Sequence, residues 1–264
     1  MADKMEISTL SDKFSWRRMF AFGMIFKNSM RVYLVVSALT SLVCYLLVQL
    51  TIYLGGNEVG IYTLLSFIVG LTLNLSPLTF ARRDDTLLAL IPAKPVEKWL
   101  VYILYSLIAV PLVVEGVWYS LEFIFRILNS GYTIQDIMWA HVKLDSDMMD
   151  LPERSLIIAL SLVQSYAIIV TVLYVVLKAV RNRVVKGLLG LLGILFASSI
   201  LAAIIGGTVA YFNISADPKM IDNPADLIKN MISVFGIIYV LLAVYSIILT
   251  VMIYRHVKAG EIKA

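Results

Sequence analysis

The 264-residue sequence is poor in the residues on which most soluble and catalytic proteins depend. Only 15% of its residues are charged, against about 25% in an average soluble domain. With 60% hydrophobic residues and a mean hydropathy of +0.88, the chain carries more apolar surface than one core of this size can hide. The solvent for much of it is lipid. Cysteine occurs once, as Cys44 inside an apolar run, which excludes an intrachain disulfide. The only histidines, His141 and His256, fall outside the apolar runs, which argues against haem ligation by paired histidines and against a Ser–His protease within the bilayer. Neither HExxH nor GxxxxGK[ST] is present, so a zinc protease of that type and ATP hydrolysis by a P-loop of this chain are both unsupported. Asp136, His141, Asp145, Asp147 and Asp150 supply acidic and imidazole groups in one loop, but their spacing fits no EF-hand and no zinc pattern. No metal site is expected, and no cofactor held by this chain. The polar N-terminus and the length of the first apolar run also speak against a cleavable leader.

What the sequence has in abundance is long apolar runs. A bilayer core of about 30 Å needs about 20 apolar residues per helical span. Six stretches meet that length: residues 32–54, 61–80, 99–125, 156–180, 187–212 and 231–254. Each is expected to be helical, because lipid offers no partner for unpaired backbone groups. Of the 22 Lys and Arg, all but Arg126, Lys143, Arg154, Lys219 and Lys229 lie in the N-terminal arm, after the second run, around the end of the fourth, or in the C-terminal tail. The positive-inside bias therefore puts both termini in the cytoplasm. The expected fold class is an all-α integral membrane protein. Six transmembrane helices form a single domain over residues 1–264, N-in and C-in, preceded by an interfacial amphipathic helix over 14–31.

That first helix is read from FSWRRMFAFGMIFKNSMR. Trp16, Met19, Phe22, Gly23, Phe26 and Met30 recur at helical spacing, Arg17, Lys27, Asn28 and Arg31 lie on the opposite face, and Ser15 suits the N-cap. Trp16, Phe22 and Phe26 are the expected lipid anchors, with Arg17 and Arg31 towards headgroups. Further along, Ile134, Ile137, Met138 and Val142 could form a short surface helix anchored by Trp139, and Asn223-Pro224 signals a short helix leading into the sixth span. The fifth run carries Gly187, Gly190 and Gly193 at spacings of three, and the pairs Gly193/Ala197, Ala203/Gly207 and Gly206/Ala210 at spacings of four. Such residues permit close helix approach, and packing within one bundle is the expected use.

Charges within the runs are few. Glu122 is expected to pair with Arg126, and Lys178 to extend its head towards water. Glu115 lies deeper, about 24 Å along its span at 1.5 Å per residue, on one helical face with Tyr119. Gln164 of the fourth run is at a similar depth. Glu115, Tyr119 and Gln164 are therefore the candidate substrate-pathway groups, with a structural hydrogen bond as the plainer reading of Glu115.

Between the second and third runs comes ARRDDTLLALIPAKPVEKWL, residues 81–98 and the start of the third run. Asp84 and Asp85 suit a helix N-terminus, Pro92 ends the apolar turns that follow, and Pro95 with Glu97 suits the first turn of the next helix. Together with the interfacial helix and six spans, this segment resembles the type-two ATP-binding-cassette (ABC) exporter permeases of the small bacterial kind. The matching residues are Pro92, Ala93, Glu97, Lys98 and Trp99, whereas Lys94 and Pro95 depart from the usual pattern. The resemblance implies a coupling helix over residues 83–91 that docks on a separate P-loop ATPase subunit, with Arg82, Arg83, Asp84, Asp85 and Leu88 as contacts. It also implies a second permease copy or paralogue, ATP and Mg held by the partner ATPase rather than by this chain, no nucleic-acid partner, and residence in the bacterial cytoplasmic membrane. The chain itself would not be an enzyme. The competing readings are a stand-alone secondary transporter or channel, which needs broken helices, for which Pro77 in the second run and Pro111 in the third offer some material, and convergent polar groups, and a non-transporting membrane scaffold or immunity protein.

Overall fold

The computed structural model describes residues 14–54, 58–82, 93–128, 151–216 and 224–262, and among these residues it holds only helices and short connections. Helix α1 spans Trp16–Ile25, α2 Lys27–Tyr53 and α3 Glu58–Asn74, followed by a 3-10 turn over Ser76–Arg82. Helix α4 spans Pro95–Leu104, a π-helical segment Tyr105–Ala109 and α5 Val110–Leu128. The remaining helices are α6 (Leu151–Lys178), α7 (Arg183–Ala216) and α8 (Pro224–Ile262). Each of the six apolar runs is helical over most of its length, the second broken at Leu75 and the fourth ending at Lys178. Among the described residues, four stretches are long and apolar enough to cross a membrane: Lys27–Thr51, Pro95–Phe125, Arg183–Thr208 and Ile238–Ala259. The other two runs hold the shorter apolar stretches Phe67–Ala81 and Leu162–Lys178.

Two prolines interrupt the helices, each in its own way. Pro77 has no N–H to continue α3, and its ring would meet the carbonyl four residues back. The helix ends at Asn74 and the chain tightens, with the Leu78 N–H bonding Leu75 O at 2.9 Å. Pro111 acts from within the third apolar run. The turn before it widens, so that the Val110 N–H reaches back five residues to Tyr105 O. A π-turn of this kind absorbs the missing donor without ending the helix. By contrast, Pro224 sits at the first position of α8, where a missing donor costs nothing. The expected short helix before the sixth span is therefore the first part of one continuous helix, Pro224–Ile262.

Helix α6 is the centre of the packing. Ile168, Ile169, Val170, Val172, Leu173, Val176 and Leu177 are all buried, as befits a helix apolar on every side. It packs against α7, α8 and the 3-10 turn, while α2 packs against α3 and α5. A smaller cluster of Cys44, Tyr45, Val48, Leu65 and Trp118 joins those last three helices. The tight connection from α6 to α7 uses Asn182 at φ 54°, a left-handed conformation that asparagine tolerates. The Arg183 Nε donates to Ala179 O at 2.8 Å, and His256 Nε2 lies 3.2 Å from Leu177 O, so side chains cover the carbonyls at the end of α6.

Close approach in α7 is seen in its first turns, at Gly187 and Gly190. A Cβ on Gly187 would lie 2.6 Å from Leu78 Cδ2 and 2.8 Å from Val176 Cγ2, and one on Gly190 would lie 3.1 Å from Val175 Cγ2. Gly193 and Gly207 have no such neighbour within 4 Å. Packing within the bundle accounts for Gly187 and Gly190 but not for Gly193 or Gly207.

Candidate functional site

The residues that gather the most polar chemistry lie where the chain re-enters the bundle at Ala93. Pro95 opens α4, and Glu97, two residues on, returns its carboxylate to the Lys94 N–H at 2.9 Å, closing the orphan donor of the helix start. The same carboxylate also closes the start of α1. Its Oε1 accepts the Ser15 N–H at 2.8 Å, and the Arg18 guanidinium donates through Nη2 at 2.8 Å and through Nε at 3.2 and 3.1 Å to the two oxygens. Ser15 caps α1 from its own side chain, with Oγ 3.5 Å from the Arg18 N–H. Glu97 is 0% exposed and Arg18 19%. The hydrogen bond that Arg18 donates to Glu97 holds its guanidinium above its already high ordinary pKa, although partial burial works against this. One carboxylate thus joins the N-termini of two helices that are 79 residues apart along the chain.

Around this junction lies an aromatic cluster. Phe80 contacts Tyr102 at 4.7 Å, Tyr105 at 5.5 Å and Phe26 at 5.1 Å between ring centroids, and Phe22 contacts Tyr102 at 5.7 Å. The Lys98 ammonium stands 6.0 Å from the Phe22 ring centre. Phe22 and Phe26, with Met19, are buried against α4 and the 3-10 turn, which corrects the expectation that they anchor α1 in lipid. The physical reason is that α1 has two apolar stripes, and the protein takes this one. Trp16, Arg17 and Arg31 are exposed.

The 3-10 turn ends at Arg82, and the chain is next described at Ala93, which is 5% exposed. Both ends of the intervening segment are fixed in the same cluster, through Phe80 on one side and Ala93 with Glu97 on the other. Arg83, Asp84, Asp85 and Leu88 lie outside the described residues, as do the expected coupling helix, the surface helix over 134–142 and the loop acids around His141.

The substrate-pathway candidates are spread over separate parts of the bundle. Glu115 and Tyr119 share a face of α5 and interact electrostatically. Gln164 belongs to α6, whose packing is against α7 and α8, whereas α5 packs on α2. Glu122 accepts a hydrogen bond from Tyr45 Oη at 2.8 Å, so its partner includes a residue of α2 that sequence spacing did not indicate. The Arg126 side chain lies outside the described residues. Lys178 is exposed and hydrogen-bonds Tyr174 Oη at 3.2 Å, one turn back.

A second polar group collects where the two proline breaks meet. Ser76 Oγ donates to Ser106 O at 3.4 Å, a carbonyl that Pro111 leaves without its π-register donor. Tyr105 Oη donates to Met30 O at 3.2 Å and lies 3.4 Å from Thr79 Oγ1. Tyr33 Oη donates to Thr72 O. Ser37 Oγ, Asn74 Oδ1 and Ser106 Oγ are buried without a hydrogen-bond partner. Pro77 and Pro111 in apolar runs were the only signals in the sequence for this group.

No protein-family model, no curated protein and no solved structure matches the chain. Among the described residues the fold is all-helical, with four helices long and apolar enough to cross a membrane, and an Arg18–Glu97 junction with its carboxylate buried joins two helix starts. Among the described residues there is no group of His, Cys, Asp and Glu that could hold a metal ion.

Proposed function

We propose that the protein is the membrane-spanning permease subunit of an ABC exporter. It crosses the bacterial cytoplasmic membrane six times with both termini inside. A separate P-loop ATPase, carrying ATP and Mg, docks on residues 83–91, and a second permease copy or paralogue completes the transport unit. The observation that carries this reading is the anchoring of that segment. It leaves from Phe80 and returns at Ala93 and Glu97 in a single aromatic and ionic cluster that also holds α1. A loop through which a partner drives span movement needs stiff attachment at both ends, because a slack attachment would absorb the motion. In the sequence, the charges of Arg82, Arg83, Asp84 and Asp85 precede the apolar stretch TLLALI, so the segment can offer a partner both polar and leucine contacts, Leu88 among them. The test is copurification from native membrane with identification of the attached chains. Charge reversal of Asp84 and Asp85 together is expected to abolish ATPase attachment while the thermal midpoint of the permease is unchanged. Normal yield of the complex from that double variant sinks the docking assignment.

A second reading is favoured by a different observation. The helix breaks at Pro77 and Pro111 meet through Ser76 and Ser106 and leave buried oxygens without partners. Broken helices with polar groups at the break are the sites at which secondary transporters bind ions and substrates. Under that reading, vesicles containing this chain alone would accumulate solute when an ion gradient is imposed. Transport that requires ATP and a second chain speaks for the exporter.

A further inference from the structure

Helix α1 carries a second apolar stripe that the bundle leaves uncovered. Trp16, Phe20 and Met24, spaced by four residues on one face, are 61%, 64% and 59% exposed. Phe14 stands edge-on to Trp16 at 5.0 Å, and Phe20 lies 6.3 Å from it, so the aromatic side chains form one patch. The charge carried by this helix and the one that follows has a single sign. Between residues 14 and 53 the chain has no Asp or Glu, and its cations are Arg17, Arg18, Lys27 and Arg31. Arg18 is committed to Glu97. Arg17, Lys27 and Arg31 are exposed, and no described residue pairs with them.

We propose that this surface binds anionic phospholipid. The Phe14–Trp16–Phe20–Met24 patch enters the boundary between headgroups and acyl chains, while Arg17, Lys27 and Arg31 hold the negative headgroups. The inference rests on membrane insertion of the chain and is independent of any ATPase partner. Charge decides the occupant. An apolar groove on another protein would take the stripe without a use for three exposed cations, and a zwitterionic headgroup offers them no net charge. Aromatic residues beside Lys and Arg on a lipid-facing helix match the interfacial pattern. An anionic leaflet attracts each such cation enough to change affinity about fivefold. The arrangement also gives α1 a defined position. One stripe is fixed to α4 by Met19, Phe22 and Phe26, so headgroup binding at the other stripe sets the depth of the Arg18–Glu97 junction.

Trp16 makes the test direct. The full chain is reconstituted in phosphatidylcholine vesicles in which either brominated phosphatidylglycerol or brominated phosphatidylcholine is present at the same mole fraction. Quenching of Trp16 is taken as the difference between the chain and its Trp16→Phe variant, which alters an exposed residue and leaves the other tryptophans in place. Brominated phosphatidylglycerol is expected to quench Trp16 several-fold more efficiently than brominated phosphatidylcholine. The variant Arg17→Gln/Lys27→Gln/Arg31→Gln is expected to lose that preference. High salt should also erase the preference of the unmodified chain, since exposed charges are screened, and this arm stands if the triple variant does not fold. Equal quenching by the two lipids, or a preference that survives both neutralisation and salt, overturns the anionic assignment. Absence of Trp16 quenching by either lipid shows that the patch faces something other than lipid and overturns the proposal altogether.

Discussion

Glu97 carries three tasks in one side chain: it closes the start of α4 at Lys94, closes the start of α1 at Ser15, and neutralises Arg18. A buried carboxylate is costly unless its lone pairs are met, and these are met by donors from two helices. Removing it therefore removes more than an ion pair. Glu97→Ala strands the Ser15 and Lys94 N–H groups and leaves Arg18 without its counter-charge. Each buried polar group left unpaired costs about 1–3 kcal/mol, and the variant is expected to lose roughly 3 kcal/mol in stability. Glu97→Gln keeps an acceptor and should fall between the two. Thermal unfolding in detergent provides the ranking, and a Glu97→Ala midpoint equal to that of the unmodified chain would mean that α1 is held by its apolar stripe alone. The sequence places Glu97 correctly in the first turn of its helix from Pro95 and the spacing that follows. It gives no sign of Arg18, because a pair separated by 79 positions is created only when two helices cross.

At the scale of elements, α7 offers a paired comparison within one helix. Gly187 faces a β-branched valine and the 3-10 turn at distances that no Cβ accepts, while Gly193, six residues along, faces open space. Gly187→Ala must displace Val176, whose branched side chain has few alternative rotamers, and overpacking of this kind costs about 1–3 kcal/mol. Gly193→Ala meets nothing and gains the helix propensity of alanine, about 1 kcal/mol. The two substitutions are expected to shift the thermal midpoint in opposite directions, and a shared sign would contradict the packing of α7 on α6. Small-residue spacing alone treats the two glycines alike, since it records where a helix can be approached and not what approaches it. The same limit applies to α1. Its sequence announces an amphipathic helix capped by Ser15, and both are present. Which apolar stripe turns to the protein depends on Phe80 and Tyr102, far along the chain, and no local pattern contains that information. The proline breaks were legible as positions, whereas the widened turn at Tyr105–Ala109 depends on Ser76 arriving to serve the freed carbonyl of Ser106.

At the scale of the whole molecule, the cluster around Phe80 joins the 3-10 turn, α1 and α4, while Tyr105 Oη extends the connection to Met30 in α2. Motion applied to the segment between Arg82 and Ala93 would reach α2, α4 and α6 together, because the turn also packs against α6. Under the exporter reading, this arrangement would separate two properties that a single docking defect would confound, namely partner attachment and transmission of movement. Phe80 is fully buried and would belong to the transmission side. Phe80→Leu keeps most of the apolar volume but loses ring contacts with Phe26, Tyr102 and Tyr105, and edge-to-face pairs of this kind contribute about 0.5–1.5 kcal/mol each. Under the exporter reading, this variant should copurify with its ATPase in normal amount, since residues 83–91 are untouched, and hydrolysis should continue. Substrate movement per ATP hydrolysed should fall several-fold. Charge reversal at Asp84 and Asp85 should instead abolish attachment, so that no hydrolysis is recovered with the permease. If Phe80→Leu lost its partner as completely as the charge-reversed variant, docking and transmission would not be separable, and the cluster would serve only to shape the docking segment. The ratio of transport to hydrolysis, measured on complexes of matched composition, decides between those outcomes.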